Sequence, residues 1–143
     1  RGVGLARAQG YGRDFDSYAK DWNNKAVFVP MIEHIDAVTE ADGIASIEGV
    51  DAIFVGPYDL SASMGLAGQF DKKEVVQAIE KIVSAAKKCG KSAGFHSVSA
   101  EIEPALKRMA EDVTFLAYCA DIFMIRHQVD EFYKAAKNFA SSK

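Results

Sequence analysis

The feature that most constrains the fold is a fourfold alternation of short apolar runs with helix-like segments. The apolar runs are residues 26–32, 51–55, 92–98 and 114–119. The first is almost continuously apolar, which is typical of strands covered on both faces of a parallel sheet. Helices are predicted at residues 14–22, 35–47, 72–89, 99–109 and 122–140. Repeated strand–helix pairs of this kind predict βα units and a parallel α/β sheet.

Local signals set the expected helix ends. Asp36 is the candidate N-cap of the helix over residues 35–47, and Ser99 is the candidate N-cap of the helix that ends at Met109. The helix over residues 72–89 has its valines and isoleucines at helical spacing, and Gly90 follows its last turn.

The order of strands and helices leaves two closures open, a doubly wound open sheet and half of an eight-stranded barrel. A whole parallel (β/α) barrel of the TIM type needs about 250 residues, and this chain has 143. Four βα units would therefore make about half of one. No linker interrupts residues 1–143, so we expect a single domain. Because the chain begins at Arg1 in a glycine-spaced loop, we also expect it to be part of a longer fold.

Composition narrows the class of protein. The net charge of −3 and the pI near 5.6 offer no basic surface for nucleic acid. No apolar run approaches the roughly 18 residues of a membrane span. The two cysteines, Cys89 and Cys119, lack the spacing of a metal site or a disulfide framework, so reduced thiols and a cytoplasmic location are expected.

Acidic side chains follow the first two predicted strands, one strand–helix repeat apart. Glu33 comes directly after residues 26–32, and Asp59 follows residues 51–55 in the same way. The carboxyl ends of parallel strands meet at one edge, where sites are built. Two carboxylates there repel each other unless a cation or a shared proton lies between them. Their oxygens suit Mg²⁺ or Mn²⁺. The alternative is that each acid only begins a helix.

The segment between the second strand and Asp59 adds a second candidate function. Gly56 allows close approach of a ligand to the backbone. The N–H groups after Pro57 could bind an anion such as a carboxylate, and Ser61 could cap the helix that follows. The alternative is a simple Gly-Pro turn.

Four other polar residues lie at or near the predicted strand ends or in the last helix. His96 lies at a strand end, facing either the pocket or solvent, and His34 lies beside Glu33 or starts a helix. His127 is predicted to be on the surface, and Asp121 to orient either a backbone turn, the favoured role, or the pocket rim. The lysines cluster in the predicted helices and not at strand ends, so a Schiff-base lysine has no good candidate.

Three segments together resemble the HpcH/HpaI aldolases, metal-dependent class II pyruvate aldolases of the phosphoenolpyruvate/pyruvate barrel superfamily. They are Arg1-Gly2-Val3-Gly4 with Ala6-Arg7-Ala8, Met31-Ile32-Glu33 with Ala37-Val38, and Val55-Gly56-Pro57-Tyr58-Asp59-Leu60-Ser61. The resemblance covers the whole chain but only the C-terminal half of the family's barrel.

The resemblance implies a function. Glu33 and Asp59 match the family's ligands for Mg²⁺ or Mn²⁺, with Co²⁺ as a further candidate. The backbone of Gly56, Pro57 and Tyr58 matches the pocket for the carboxylate of a 2-oxo acid. The implied reaction cleaves or forms 4-hydroxy-2-oxo acids through a metal-bound enolate, with pyruvate and an aldehyde as the other partners.

The sequence departs from the family's pattern at two positions and lacks some of the residues that the family uses. Met31 stands where the family often has a glutamine that touches substrate, and Tyr58 stands where it often has a small residue. Both changes would make the pocket narrower or less accessible to water. The family's general-base histidine and its substrate-binding arginine would lie upstream of Arg1, so no catalytic residue is assigned here. Family members are oligomers that often exchange the final helix, which here is residues 126–140.

Two other functions remain open. One is the citrate-lyase β-like branch of the superfamily, which cleaves acyl-CoA thioesters and would be favoured by a basic CoA groove. The other is a non-catalytic half-barrel for binding or assembly. A natural gene that also begins at Arg1 would favour the non-catalytic half-barrel, because four βα units alone leave open sheet edges.

Overall fold

The computed structural model describes residues 4–142, so the Arg1-Gly2-Val3 part of the resemblance lies outside the described residues. The strands are Met31–Ile32 (β1), Ala52–Val55 (β2), Ser92–Ser97 (β3) and Phe115–Tyr118 (β4). The helices are Phe15–Lys25 (α1), Ile35–Thr39 (α2), Ala41–Ser46 (α3), Pro57–Ser63 (α4), Lys73–Lys88 (α5), Ile102–Ala110 (α6) and Asp121–Ser141 (α7), and a 3-10 segment, Arg7–Gly12, precedes them.

The four strands form one parallel sheet in the order β1-β2-β3-β4. A doubly wound sheet reverses its strand order at a switch point, and this sheet has no reversal. Right-handed crossovers between consecutive neighbours place all the connecting helices on the same face. The winding is therefore that of a barrel, and the predicted parallel α/β fold is confirmed.

The core lies between the helix-facing side of the sheet and the helices. Ile32, Val55 and Phe95 form one row across the sheet and are buried. Helix α5 packs on β2, β3 and α3, and its Ile79 and Ile82 are at most 2% exposed. Burying each such side chain stabilises the fold by about 1.5–3 kcal/mol before entropy is counted.

The opposite side of the sheet, here called the inner face, carries the row Met31, Phe54, Gly94 and Phe115. The Phe54 and Phe115 rings meet edge to face with centroids 5.5 Å apart. They meet across Gly94, where a Cβ would overlap the Phe54 ring and lie 3.1 Å from Phe115 Cδ1. Met31 is 55% exposed and Phe115 is 44% exposed, so the side chains of this row are not covered by other described residues.

Some predicted bounds differ from the structure. Strand β1 has two residues rather than seven, because pairing with β2 begins only at Met31. The helix predicted over residues 35–47 is divided at Glu40. Its N-cap is His34 rather than Asp36: His34 Nδ1 accepts a hydrogen bond from the Asp36 N–H.

The remaining helices are closer to the prediction. Helix α6 has Glu101 as its N-cap, and the Ser99 hydroxyl only accepts from the Glu101 N–H, so the predicted cap at Ser99 is wrong. Helix α5 begins and ends within one residue of its predicted bounds, and Gly90 has φ +65° as a helix-ending glycine does. Across residues 4–142, no helix has the length and apolar character needed to cross a membrane.

Candidate functional site

Glu33 follows β1 directly and extends over Gly56 on the neighbouring strand end. A Cβ built on Gly56 would lie 3.1 Å from Glu33 Cβ, 3.3 Å from Glu33 Oε2 and 3.1 Å from Met31 Sδ. Successive strand residues alternate between faces, so Met31 and Glu33 share the inner face while Ile32 enters the core. The space that holds the Glu33 carboxylate therefore exists because residue 56 has no side chain.

Asp59 lies in the first turn of α4, at the end of β2. Gly56 is the N-cap of this helix and Pro57 its first residue, where the missing N–H of proline costs nothing. The Gly56 N–H donates to Ile32 O (3.1 Å), which fixes the helix start beside Glu33. N–H groups in a first turn lack intrahelical acceptors. The helix start therefore offers donors to an anion and a favourable place for the Asp59 carboxylate.

Both carboxylates are available to a ligand. Glu33 and Asp59 are exposed, and within the described part of the chain neither has an ion pair or a side-chain hydrogen bond. No group of three or more His, Cys, Asp or Glu side chains in residues 4–142 is arranged to hold a metal ion. A cation here would have two protein carboxylates at most, with water or substrate completing its coordination, as Mg²⁺ sites often do.

Tyr58 turns towards the helix layer. Its ring packs edge to face on Phe70 with centroids 4.8 Å apart, and it remains half exposed. Tyr58 lines a cavity of about 540 Å³ whose other walls include Phe95, Ser97 and Arg108. Phe95 and Ser97 are on the helix-facing side of β3, but His96, between them in the strand, also lines this cavity, so the cavity lies at the carboxyl end of β3.

Ser61 is not a helix cap, contrary to the prediction. It is fully buried within α4; its hydroxyl donates to Tyr58 O (2.9 Å) and accepts from the Gly68 N–H (3.0 Å). The prediction failed because α4 begins at Pro57, four residues earlier than a cap at Ser61 requires. Ser61 instead ties the loop after α4 to the first turn that carries Asp59.

The histidines and Asp121 occupy different places. His34 caps α2, and His127, predicted to be on the surface, is half-buried and lines the cavity beside Tyr58 together with His96. Asp121 is the first residue of α7, and its Oδ1 accepts from the Ile122 N–H (2.7 Å), which is the turn role expected of it. Half-buried His96 lies in β3.

Comparison with known proteins gives the class of this fold and site. The HpcH/HpaI aldolase/citrate lyase family profile matches residues 5–128. A crystal structure of a family protein from Burkholderia cenocepacia J2315 superposes with a TM-score of 0.86 at 26% identity, covering 96% of this chain and 52% of that one. The HpcH/HpaI aldolase from Desulfitobacterium hafniense DCB-2 superposes with a TM-score of 0.77 at 26% identity, covering 96% and 53%.

Curated relatives agree. The chain is 32% identical to 2-keto-3-deoxy-L-rhamnonate aldolase of Escherichia coli, over 96% of this chain and 52% of that protein. It is 38% identical to hydroxypyruvate/pyruvate aldolase of Paraburkholderia phytofirmans, over 88% and 48%. The fold is thus about half of a parallel β/α barrel, and the chain spans about half the length of the relatives it matches. This chain belongs to the HpcH/HpaI aldolase/citrate lyase family.

Proposed function

We propose that this chain is the C-terminal half of a divalent-metal-dependent aldolase, a carbon–carbon lyase that cleaves or forms 4-hydroxy-2-oxo acids. The partners of the reaction are pyruvate and an aldehyde. The observation that carries the proposal is the unpaired Glu33 carboxylate held over Gly56, beside the helix start that bears Asp59. The names of the two curated relatives, both aldolases of 2-oxo acids, support the substrate class.

Each residue has a defined part in this proposal. Glu33 and Asp59 would hold Mg²⁺ or Mn²⁺, with Co²⁺ as a further candidate; such an ion acts as a Lewis acid on the oxygens of a 2-oxo acid. The backbone at Gly56, Pro57 and Tyr58 would line the pocket for the substrate carboxylate, with the Tyr58 N–H as its donor, because the Gly56 N–H already donates to Ile32 O and Pro57 has no N–H. Met31, whose Sδ would lie 3.1 Å from a Cβ on Gly56, would narrow the pocket beside Glu33.

The chemistry is an aldol addition and its reverse. Pyruvate C3 loses a proton and bonds to the aldehyde carbonyl carbon, whose oxygen gains a proton; cleavage reverses both transfers. No residue of this chain is assigned to these proton transfers, and we place the base in the half of the barrel upstream of Arg1.

The test uses the full polypeptide with both halves of the barrel. We expect Mn²⁺-dependent exchange of the pyruvate C3 protons with D₂O, lost with EDTA, and lost or reduced at least a hundredfold in Glu33→Gln and Asp59→Asn. Glu48→Gln, which alters an exposed acid outside the site, is the matched control. Exchange that persists in EDTA or in both site variants would refute the metal assignment.

The same protein separates the alternatives. Cleavage of an acyl-CoA thioester without pyruvate exchange would favour the citrate-lyase-like branch. A folded full polypeptide that performs neither reaction and binds no Mn²⁺ would favour the non-catalytic module.

We also propose a homo-oligomer in which residues 126–140 of α7 pack on a second copy. Helix α7 buries none of its described side chains, and Phe132 and Val129 are 72% and 60% exposed. Residues 1–143 are proposed to form a single domain. Because Cys89 and Cys119 are unpaired, we propose the cytoplasm as its location.

A further inference from the structure

The cavity beside Tyr58 has walls that the aldolase proposal does not use. It measures about 540 Å³, within the range of about 300–1,000 Å³ that small-molecule sites have. Four elements of this chain form it: the end of β3, the start of α4, helix α6 and the first turns of α7. Of its lining residues, only Pro57 and Tyr58 have a part in the proposed aldol reaction.

One face of α7 lines the cavity. Phe123, Arg126, His127 and Asp130 are spaced as i, i+3, i+4 and i+7, so they share one side of the helix. Phe132, proposed above to lie in the oligomer interface, is on the other side of α7 by helical geometry. The cavity and the proposed interface therefore use different faces of this helix.

Ser97 is a buried polar residue of the cavity wall. It is only 4% exposed, and its hydroxyl has no hydrogen-bond partner among residues 4–142. Its carbonyl oxygen is already used, since it accepts a hydrogen bond from the Cys119 N–H (2.7 Å). A buried hydroxyl without a partner is unfavourable. An oxygen of a ligand inside the cavity would supply the missing acceptor.

Aromatic rings form much of the remaining wall. Tyr58 and Phe70 pack edge to face, and Phe95 and Phe123 line the cavity with them. The Arg108 guanidinium lies over the Phe95 ring, with Cζ 4.9 Å from the ring centroid. Aromatic side chains pack well against the face or the edge of another ring. The walls therefore suit a ligand with a planar apolar body.

The charged groups of the wall favour a ligand with a single negative charge. Two arginines, Arg108 and Arg126, and one acid, Asp130, line the cavity. Arg108 uses Nη1 for Glu111 Oε2 (2.7 Å), and Arg126 Nε lies 3.7 Å from Asp130 Oδ2. A guanidinium has five N–H donors, so both arginines keep donors for a ligand. One uncompensated positive charge matches a carboxylate better than a phosphate dianion.

We propose that this cavity binds a small aromatic carboxylate. The ring packs against Phe95 and Phe123, and the carboxylate oxygens accept hydrogen bonds from the Ser97 hydroxyl and the Arg126 guanidinium. Binding at this site needs neither the metal at Glu33 nor the aldol reaction, so the proposal stands apart from the proposed function.

A matched pair of probes tests the proposal by calorimetric titration of the full polypeptide in EDTA. The probes are 3-phenylpropanoate and 3-phenylpropanol, which share the ring and chain and differ in charge. We expect the acid to bind about tenfold more tightly, the size of one hydrogen bond to a charged group. Ser97→Ala should weaken binding of the acid about tenfold. Arg126→Gln should weaken it about three- to fivefold, because Arg126 is largely exposed and screened by solvent.

Lys107→Gln is the matched control, since it removes a positive charge from the exposed side of α6 and should leave both affinities unchanged. Equal binding of the acid and the alcohol, or wild-type affinity for the acid in both Ser97→Ala and Arg126→Gln, would refute the proposal. Displacement of the acid by an equal concentration of inorganic phosphate would refute the ligand class. Exchange of the pyruvate C3 protons with Mn²⁺ reports the aldolase function separately, so the failure of one proposal leaves the other standing.

Discussion

Replacing Gly56 with alanine would test whether the space above this residue positions the Glu33 carboxylate. The new Cβ would lie 3.1 Å from Glu33 Cβ and 3.3 Å from Glu33 Oε2. Ordinary contacts are 3.4–4 Å, so the Glu33 side chain must move by a few tenths of an ångström. Comparable disturbance of the groups that orient a metal ligand lowers affinity about 10–100-fold, which corresponds to about 1.4–2.7 kcal/mol.

The assay is Mn²⁺ binding to the full polypeptide, followed by the electron paramagnetic resonance of the free ion. Gly56 has φ −95°, which alanine adopts readily, so the free energy of unfolding should change by less than about 1 kcal/mol. The control is Gly43→Ala, whose Cβ would meet only Glu40 Oε2 at 4.0 Å. A folded Gly56→Ala protein that binds Mn²⁺ within twofold of wild type would refute the argument.

Three further predictions concern packing. Gly94→Ala should lower the free energy of unfolding by about 1–3 kcal/mol because its Cβ would overlap the Phe54 ring; equal urea midpoints for variant and wild type would contradict this. Ser61→Ala should cost about 0.5–1.5 kcal/mol, since the Gly68 N–H loses the Ser61 hydroxyl as its acceptor, whereas Ser142→Ala, an exposed hydroxyl near the C-terminus, should have no measurable effect on the same urea curve. Replacing Val129 and Phe132 with serine should shift the proposed oligomer towards monomer in sedimentation velocity; an unchanged assembly would place the interface elsewhere.

Much of the fold was predictable because buried side chains recur in the sequence at the period of the helix or strand that carries them. Helix α5 was located to within a residue, since one face of it enters the core and Gly90 ends it. The length of strand β1 was overestimated because an apolar run indicates burial but not hydrogen-bonded pairing with a neighbouring strand. The residues before Met31 are extended and contact β2 only through single hydrogen bonds, such as that from the Phe54 N–H to Pro30 O.

The sequence predicted where Glu33 and Asp59 lie relative to the strands but not their contacts, and their role as metal ligands stays a prediction. The position of Glu33 and Asp59 after consecutive strands was visible in the sequence, and the structure places both at strand ends as expected. That Gly56 makes room for Glu33 depends on the register between strands. So does the position of His96 beside Gly56, one residue beyond the Val55–Phe95 pair. Register is set by tertiary packing, and no local pattern within one strand records it.

The two rows of residues on the inner face differ in how much they contribute to the stability of the fold. The lower row joins bulky Phe54 and Phe115 across Gly94, so changes there should disturb folding. The row above it, from Gly56 through His96 to Ala117, buries little apolar surface of its own. Substitutions in that row can therefore change the polar groups at the carboxyl ends of the strands at small thermodynamic cost, whereas the row of Phe54 and Phe115 tolerates few changes.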